Sequence, residues 1–453
     1  MVNPQIFREY DIRGIAHTDL NEENVLLLAR ALGTYYQNSG DNNVVVGYDA
    51  RISSPKIEET MVKGLIETGC NVVRIGMVPT PVLYFSLYYF NIPNGIMITA
   101  SHNPKEFNGF KVCAKSTAIY GAEIKNLYKI ICAGKFVYGQ GSAVRRDLIS
   151  DYINYLIENI EVKRGLKVVF DTGNGTCGPI VEEILKALGC KYKILFKEPD
   201  GNFPNHLPDP VVEKYIKDLI DCVKRDKYEI GIGLDGDGDR IGVVDETGRI
   251  IWGDVLLAIF AEEVLRKKPG SKIIFEVKCS KGLIERIKEL GGIPIMYRTG
   301  HSLIKAKMKE EGSPLAGEMS GHIFFADRYF GYDDAIYASL RLLEIISQGK
   351  NLAQLSAKFP RYYATPEIRI ETDDEKKFEI VENLKDYFRR LYKVIDIDGV
   401  RVDFGDGWGL IRASNTQPVF VLRFEAKTPE RLEEIKNLFF EQLEKARGQK
   451  LKN

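Results

Sequence analysis

Three times along the chain, a short apolar run gives way to a polar loop, a helical stretch, a glycine break and a second apolar run. The first copy is Val44-Val45-Val46-Gly47-Tyr48-Asp49, a helix ending at Gly69-Cys70, and Val72-Val73-Arg74-Ile75. The second is Lys167-Val168-Val169-Phe170-Asp171, a helix ending at Gly189-Cys190, and a run from Tyr192 to Phe196. The third is Lys272-Ile273-Ile274-Phe275-Glu276, a helix ending at Gly291-Gly292, and a run from Ile293 to Tyr297. Short apolar runs between breakers predict buried strands. Glycine suits the helix ends, where a left-handed residue is often required. Gly69, Gly189 and Gly291 lie 120 and 102 residues apart, a domain-sized spacing too long for a solenoid repeat. Each copy therefore predicts a βαβ unit with a right-handed crossover and binding loops beyond its strand ends.

The last part of the chain breaks this pattern. A strand near Pro366 to Ile370 precedes an amphipathic helix from Asp374 to Tyr392, and strands near Gly409 to Ala413 and Val419 to Glu425 lead to a final helix. Thr428 and Pro429 suit the start of that helix as N-cap and first residue. This predicts a smaller α+β domain, linked near Phe359 to Ala364.

Composition narrows the reading. At 453 residues and about 150 per domain, three to four domains are expected. Lys plus Arg and Asp plus Glu each number 63, so no broad positive field exists to recruit nucleic acid or an anionic membrane. Attraction for an anionic substrate must be local. No signal peptide is visible in a start that carries Arg8, Glu9, Asp11 and Arg13, and no apolar run is long enough to cross a bilayer. Seven scattered cysteines without CxxC spacing read as buried thiols in a reducing compartment. A cytoplasmic globular protein is expected.

Four loops carry the chemistry. Asp235-Gly-Asp237-Gly-Asp239-Arg240 lies between two strand-like runs, and three alternating carboxylates on a glycine-opened loop can converge on one hard cation. An EF-hand is the first rival, since Glu246 falls at its twelfth position, but Arg240 stands where its sharp turn needs glycine and the flanks read as strands, which disfavours calcium sensing. Thr99-Ala100-Ser101-His102-Asn103-Pro104 follows the strand Gly95 to Ile98 and precedes Asn108-Gly109-Phe110-Lys111. Ser101 is thus set for access at a strand end, with no visible Asp–His relay and no GxSxG elbow. Arg412-Ala413-Ser414-Asn415-Thr416-Gln417-Pro418, with Arg423 beyond it, offers a guanidinium, hydroxyls and an amide to a phosphate dianion. Gly317-Glu318-Met319-Ser320-Gly321-His322 suits vicinal sugar hydroxyls, since the carboxylate accepts and the others donate. His301 opens a helix that it could merely cap, and His17 and His206 read as incidental.

Together and in this order, these loops resemble the α-D-phosphohexomutase superfamily, from Phe7-Arg8-Glu9-Tyr10-Asp11-Ile12-Arg13-Gly14 to the loop at 412–418. The branch they resemble is bacterial phosphomannomutase/phosphoglucomutase, whose sugar loop reads Gly-Glu-Met-Ser-Gly-His and whose last loop reads Arg-Ala-Ser-Asn-Thr. Other branches tend to Ser-Gly-Thr there. The resemblance implies three similar α/β domains with mixed sheets around a central cleft, plus a smaller C-terminal α+β domain. The expected division is 1–147 with the phosphoserine loop, 148–251 with the metal loop, 252–362 with the sugar loop and 363–453 with the phosphate loop.

The resemblance also implies roles. Ser101 would carry the transferable phosphate, and Asp235, Asp237 and Asp239 would bind Mg2+ with a phosphoserine oxygen. Glu318 and Ser320 would hold the sugar O3 and O4, with His322 near the reacting end. Arg412, Ser414, Asn415, Thr416 and Arg423 would grip the idle phosphate. Tyr10, Arg13, His102, Lys111, Arg240, Lys278 and His301 match further active-site positions, and Lys111 and His322 are the candidate general bases. The implied reaction interconverts hexose 1- and 6-phosphates of mannose or glucose. It runs through a hexose 1,6-bisphosphate, which also serves as activator. A phosphoglucosamine mutase, a sugar-phosphate phosphatase and a non-catalytic sensor are the rivals. A phosphosugar is the expected partner, without nucleic acid or membrane, on a monomeric chain.

Overall fold

The computed structural model describes residues 2–414 and 417–448. Four sheets form, of seven, five, four and six strands, and the first three share one core motif. A central strand is Asn43–Tyr48 in the first unit, Lys167–Asp171 in the second and Lys272–Glu276 in the third. Each pairs in parallel with the strand that follows its crossover helix: Asn71–Met77, Lys191–Leu195 and Ile293–Tyr297. On its other side each pairs in parallel with a third strand: Asn94–Ile98, Ile230–Leu234 and Leu315–Gly317. That strand then hairpins into an antiparallel fourth: Phe107–Ala114, Ile241–Asp245 and Ile323–Phe325.

The expected repeat is therefore present, and its glycines behave as helix stops. Gly69, Gly189 and Gly291 have φ of +84°, +65° and +75°, values that a side chain would resist. The second copy ends one residue earlier than its apolar run suggests, because Phe196 turns to φ +51°.

This motif places the chemistry. The segments at 99–106, 235–240 and 318–322 are the same connection in the three units, between the third strand and its antiparallel partner. They lie beyond the carboxyl ends of parallel strands, where ligands bind in open α/β sheets. The three loops also meet. A Cβ on Gly236 would lie 2.8 Å from the Ser101 carbonyl oxygen. The Ile241 N–H donates to the Gly321 carbonyl at 3.0 Å.

One hydrophobic cluster runs through all three units, from Val45 through Phe170 to Phe275 and Phe325. The fourth sheet has its own core, in which Phe388 stacks on Phe439 at 4.6 Å. Its strands Gly407–Ala413 and Val419–Ala426 pair antiparallel, and the helices Lys377–Arg389 and Pro429–Ala446 pack on them. Thr428 caps the last helix by accepting from Arg431 N–H at 3.2 Å. The expected linker is partly structured: Tyr363–Ala364 forms a short strand against Val419–Ala426. Six cysteines are buried thiols as expected, whereas Cys132 is exposed on the open side of its helix. No described helix is long and apolar enough to cross a membrane.

Candidate active site

Ser101 lies three residues past the end of the strand Asn94–Ile98, in the left-handed region at φ +50°, which is uncommon for a residue with a side chain. Its N–H donates to Thr99 Oγ1 at 2.9 Å. Arg51, fully buried, holds the rest of the loop. Its guanidinium donates to the carbonyls of Ser101, Asn103, Pro104 and Phe107 at 2.7 to 3.0 Å, and it pairs with Asp49. Nothing in a Gly-Tyr-Asp-Ala-Arg turn marks Arg51 as a clamp before the loops are folded together.

The Ser101 hydroxyl donates to Asp235 Oδ2 at 2.6 Å, lies 3.0 Å from His102 Nδ1 and accepts from Arg240 at 3.2 Å. A carboxylate and an imidazole thus flank a serine that shows no such partners in the local sequence. Each touches Oγ separately, so they form no hydrolase relay. Arg13 reaches the same loop by donating to Asn103 Oδ1 at 2.8 Å, and it pairs with Asp11.

The aspartate loop is built from its own backbone. Asp235 Oδ1 accepts from the N–H groups of Asp239 and Arg240 at 3.0 and 3.1 Å, and Gly238 takes φ +75°. Asp237 Oδ2 accepts from Thr80 Oγ1 and from Lys111 Nζ, both at 2.6 Å, while Asp239 Oδ2 also accepts from Lys111. Ligand atoms of the three carboxylates lie within 4.8 Å of one another, all buried.

Their electrostatics show a shortage of positive charge. Burial, with Asp237 and Asp239 beside it, pushes the Asp235 carboxyl well above the usual range. Burial acts on Asp237 in the same direction, but the Lys111 charge and hydrogen bond outweigh it and hold that carboxyl low. The same carboxylates overcome the burial of Lys111 and keep it an ammonium. Asp237 Oδ1 and Asp239 Oδ1 remain buried without hydrogen-bond partners, a costly state for a carboxylate oxygen. Open oxygens on converging carboxylates fit a hard divalent cation that completes its shell with other oxygens.

His322 and His301 stack at 5.4 Å. His322 Nδ1 lies 3.8 Å from Asp239 Oδ1 and 3.0 Å from Asp333 Oδ2. Asp333 in turn accepts from Lys305 at 2.8 Å. Gly300, at φ +134°, holds the cap position, so His301 begins its helix as a packed residue and not as the cap. Burial and Lys305 push the His301 pKa down to about 4. Asp333 and Lys305 were invisible in the sequence: one sits in a Tyr-Asp-Asp turn, the other on an ordinary helix.

Glu318 is buried and accepts from Gly300 N–H at 2.7 Å, with Ser320 Oγ 3.5 Å away. Burial raises its pKa. Tyr10 donates to the Thr299 carbonyl at 2.7 Å and packs on Gly300, where a Cβ would meet its ring at 2.7 Å. Lys278 Nζ pairs with Glu367 at 3.1 Å.

The last loop is a separate group. Arg412 donates to Asp398 at 3.0 Å, Arg423 donates to the Lys278 carbonyl, and Ser414 Oγ accepts from Gln417 N–H at 3.2 Å. These bonds tie the described part of the loop to the third and fourth units. Asn415 and Thr416 lie outside the described residues. His206 is not incidental: its Nε2 is 3.1 Å from both oxygens of Asp171, at the end of the central strand of the second unit.

A serine among three carboxylates, in a fold of three repeated α/β units and a distinct fourth, defines a phosphohexomutase class of protein. Family profiles agree along the whole chain. Phosphoglucomutase/phosphomannomutase domain I matches residues 4–137, domain II 150–248, domain III 252–363 and the C-terminal domain 367–442. The chain belongs to the phosphoglucomutase/phosphomannomutase family. It is 46% identical over 440 residues to the phosphomannomutase/phosphoglucomutase of Pseudomonas aeruginosa, covering 97% of this chain and 95% of that one. It is 42% identical over 439 residues to a phosphoglucomutase of Neisseria meningitidis, at 96% and 95% coverage. A crystal structure of a phosphoglucomutase/phosphomannomutase family protein from Burkholderia thailandensis matches with a TM-score of 0.93 at 42% identity, covering 99% and 98% of the two chains.

Proposed function

We propose that the protein interconverts the 1- and 6-phosphates of glucose and mannose through phospho-Ser101 and a hexose 1,6-bisphosphate. The observation that carries this reading is the Ser101 hydroxyl at 2.6 Å from an aspartate of a three-carboxylate loop with open oxygens, in a chain similar to enzymes of both sugar specificities. A free hydroxyl of the bound sugar phosphate attacks the phosphorus of phospho-Ser101. The new sugar O–P bond forms as the serine Oγ–P bond breaks, and His322 accepts the hydroxyl proton. Its Nδ1 beside Asp333 supports that orientation of the ring.

Phosphoryl transfer asks a protein for alignment and charge neutralisation. Mg2+ held by Asp235, Asp237, Asp239 and a phosphoserine oxygen would supply Lewis-acid neutralisation. Lys111, Arg240 and Arg13 add positive charge around Ser101, and His102 positions Oγ. Glu318 and Ser320 hold O3 and O4, with Tyr10, His301 and Lys278 beside them. Arg412, Ser414, Asn415, Thr416 and Arg423 grip the idle phosphate. The bisphosphate then turns, and its other phosphoryl group returns to Ser101 by the same step reversed. Residues 1–147, 148–251, 252–362 and 363–453 serve as the four units, one loop each. Hexose 1,6-bisphosphate restores enzyme that has lost its phosphate.

Phosphorus NMR with Mg2+, a trace of glucose 1,6-bisphosphate, and glucose 1-phosphate or mannose 1-phosphate tests this. A growing 6-phosphate signal in both samples is expected. Steady release of inorganic phosphate would identify a phosphatase instead. No change in either sample would reject both sugars, leaving amino-sugar phosphates or a binding role.

A further inference from the structure

We propose that the protein carries a second ligand site, for a small aromatic anion such as an aryl carboxylate, in a cavity between the first and third units. The cavity measures about 460 Å³, within the roughly 300–1,000 Å³ of small-molecule sites. It opens between the helix Thr80–Tyr89 and the helix His301–Glu311. Tyr84, Tyr88, Phe330 and Tyr332 line it, together with Lys305 and Lys309. Tyr88 and Phe330 stack at 4.5 Å, yet Tyr88 remains 41% exposed, so an aromatic shelf faces open space. Among the described residues no carboxylate lines the cavity, and Lys309 makes no ion pair. Aromatic faces accept a flat ring, and the Lys309 ammonium, which has no carboxylate partner, accepts its anion. That charge complementarity selects an aryl anion over a neutral ring or a cation.

The cavity shares one residue with the active site. Lys305 Nζ lies 3.0 Å from Tyr84 Oη, 2.8 Å from Asp333 Oδ1 and 3.3 Å from His301 Nδ1, and 4.1 Å from the centre of the Tyr84 ring. Asp333 Oδ2 is the neighbour of His322. An anion in the cavity competes with Asp333 for the Lys305 ammonium and loosens the acceptor that both imidazoles face. Occupancy therefore lowers turnover without competing for the sugar phosphate, a consequence that rests on the mutase reading above.

Titration of the full chain with 2-naphthoate, followed by calorimetry, tests the site without reference to activity. We expect saturable binding to one site. A charged hydrogen bond of about 1.5–3 kcal/mol corresponds to a loss of about tenfold or more in Lys309→Glu and with neutral 2-naphthamide. Thr117→Trp, an exposed position that lines the cavity, should block binding by filling it. Equal affinity for the amide, undiminished binding in both variants, or no saturation at millimolar probe would overturn the site. With saturating glucose 1-phosphate, naphthoate should lower turnover in the parent protein and not in Lys309→Glu. Unchanged turnover with the probe bound would overturn the coupling through Lys305. Absence of any mutase activity would instead sink the proposed function and leave the binding arms to decide the cavity.

Discussion

Ser101 is held where its backbone does not want to be. A non-glycine residue at positive φ costs about 1 kcal/mol or more, and the Arg51 guanidinium, bonded to four carbonyls of the same loop, offsets that cost. Two substitutions separate the strain from the chemistry. Ser101→Ala and Ser101→Gly both remove Oγ, so both should lose mutase turnover by several orders of magnitude. Glycine tolerates φ +50° and alanine does not, so thermal denaturation should show the glycine variant about 1 kcal/mol more stable than the alanine variant. Equal melting would mean the loop relaxes when the hydroxyl is gone. A second residue-scale effect concerns pH. Burial lowers the His206 pKa, but the Asp171 hydrogen bond and charge outweigh it, leaving a net rise above 6.5. A raised folded pKa means that the pair stabilises the fold fully below about 6.5 and less as pH climbs through the folded value. His206→Gln should therefore flatten the fall in stability above pH 6.5, read by denaturant unfolding across pH. An unaltered profile would assign that fall to other groups.

At the scale of elements, the repeated hairpin loop makes three separate sequences into one site. Gly236 is where two of these loops touch: a Cβ there would sit 2.8 Å from the Ser101 carbonyl and 3.1 Å from Pro208. The first neighbour is backbone and cannot step aside. Gly236→Ala should push the aspartate loop from the serine loop and reduce turnover by about tenfold to a hundredfold, at a stability loss of about 1–3 kcal/mol. Kinetics across a Mg2+ titration read the first and thermal unfolding the second. Turnover within twofold of the parent would show that the loops need not stay in contact. The βαβ repeats and the loops themselves were legible, because buried strands are written as apolar runs and helix ends as glycines. Strands such as Ser142–Arg145 and Tyr363–Ala364 were not, since both are exposed along their length and carry no alternation to read. Arg51, Asp333 and Lys305 escaped for another reason. Arg51 clamps carbonyls about fifty positions on, Lys305 and Asp333 meet across 28 positions, and nothing local records such a meeting.

At the scale of the molecule, the joint between the third and fourth units fixes where the proposed phosphate loop stands relative to Ser101. The first three units share one core, whereas the fourth meets them through the small cluster of Val277, Trp408 and Leu410 and through polar contacts that include Lys281 with Glu425 and Asp403, Thr299 with Asp398 and Arg423 with the Lys278 carbonyl. Among those contacts, Lys278–Glu367 is the weaker, since the Glu367 side chain is 28% exposed and such pairs contribute about 0–1 kcal/mol. Arg401 is different. It is buried over the Trp408 ring at 3.7 Å and donates to the carbonyls of Val277 and Cys279. Removing a charged donor from buried carbonyls costs about 1.5–3 kcal/mol for each bond lost. Arg401→Met should thus detach the fourth unit, splitting calorimetric unfolding into two transitions and exposing the segment 359–364 to proteolysis. Glu367→Gln should leave a single transition within about 1 kcal/mol of the parent. On the mechanism proposed above, a detached unit would still carry Arg412 and Ser414 but would no longer hold the idle phosphate at a fixed distance from Ser101. Arg401→Met should then raise the KM for glucose 1-phosphate and release hexose 1,6-bisphosphate into solution, where phosphorus NMR would detect it. Single-transition unfolding with no free bisphosphate would show instead that the Trp408 cluster and the Lys281 and Arg423 contacts hold the joint without Arg401, and that the bisphosphate turns within a cleft the fourth unit never leaves.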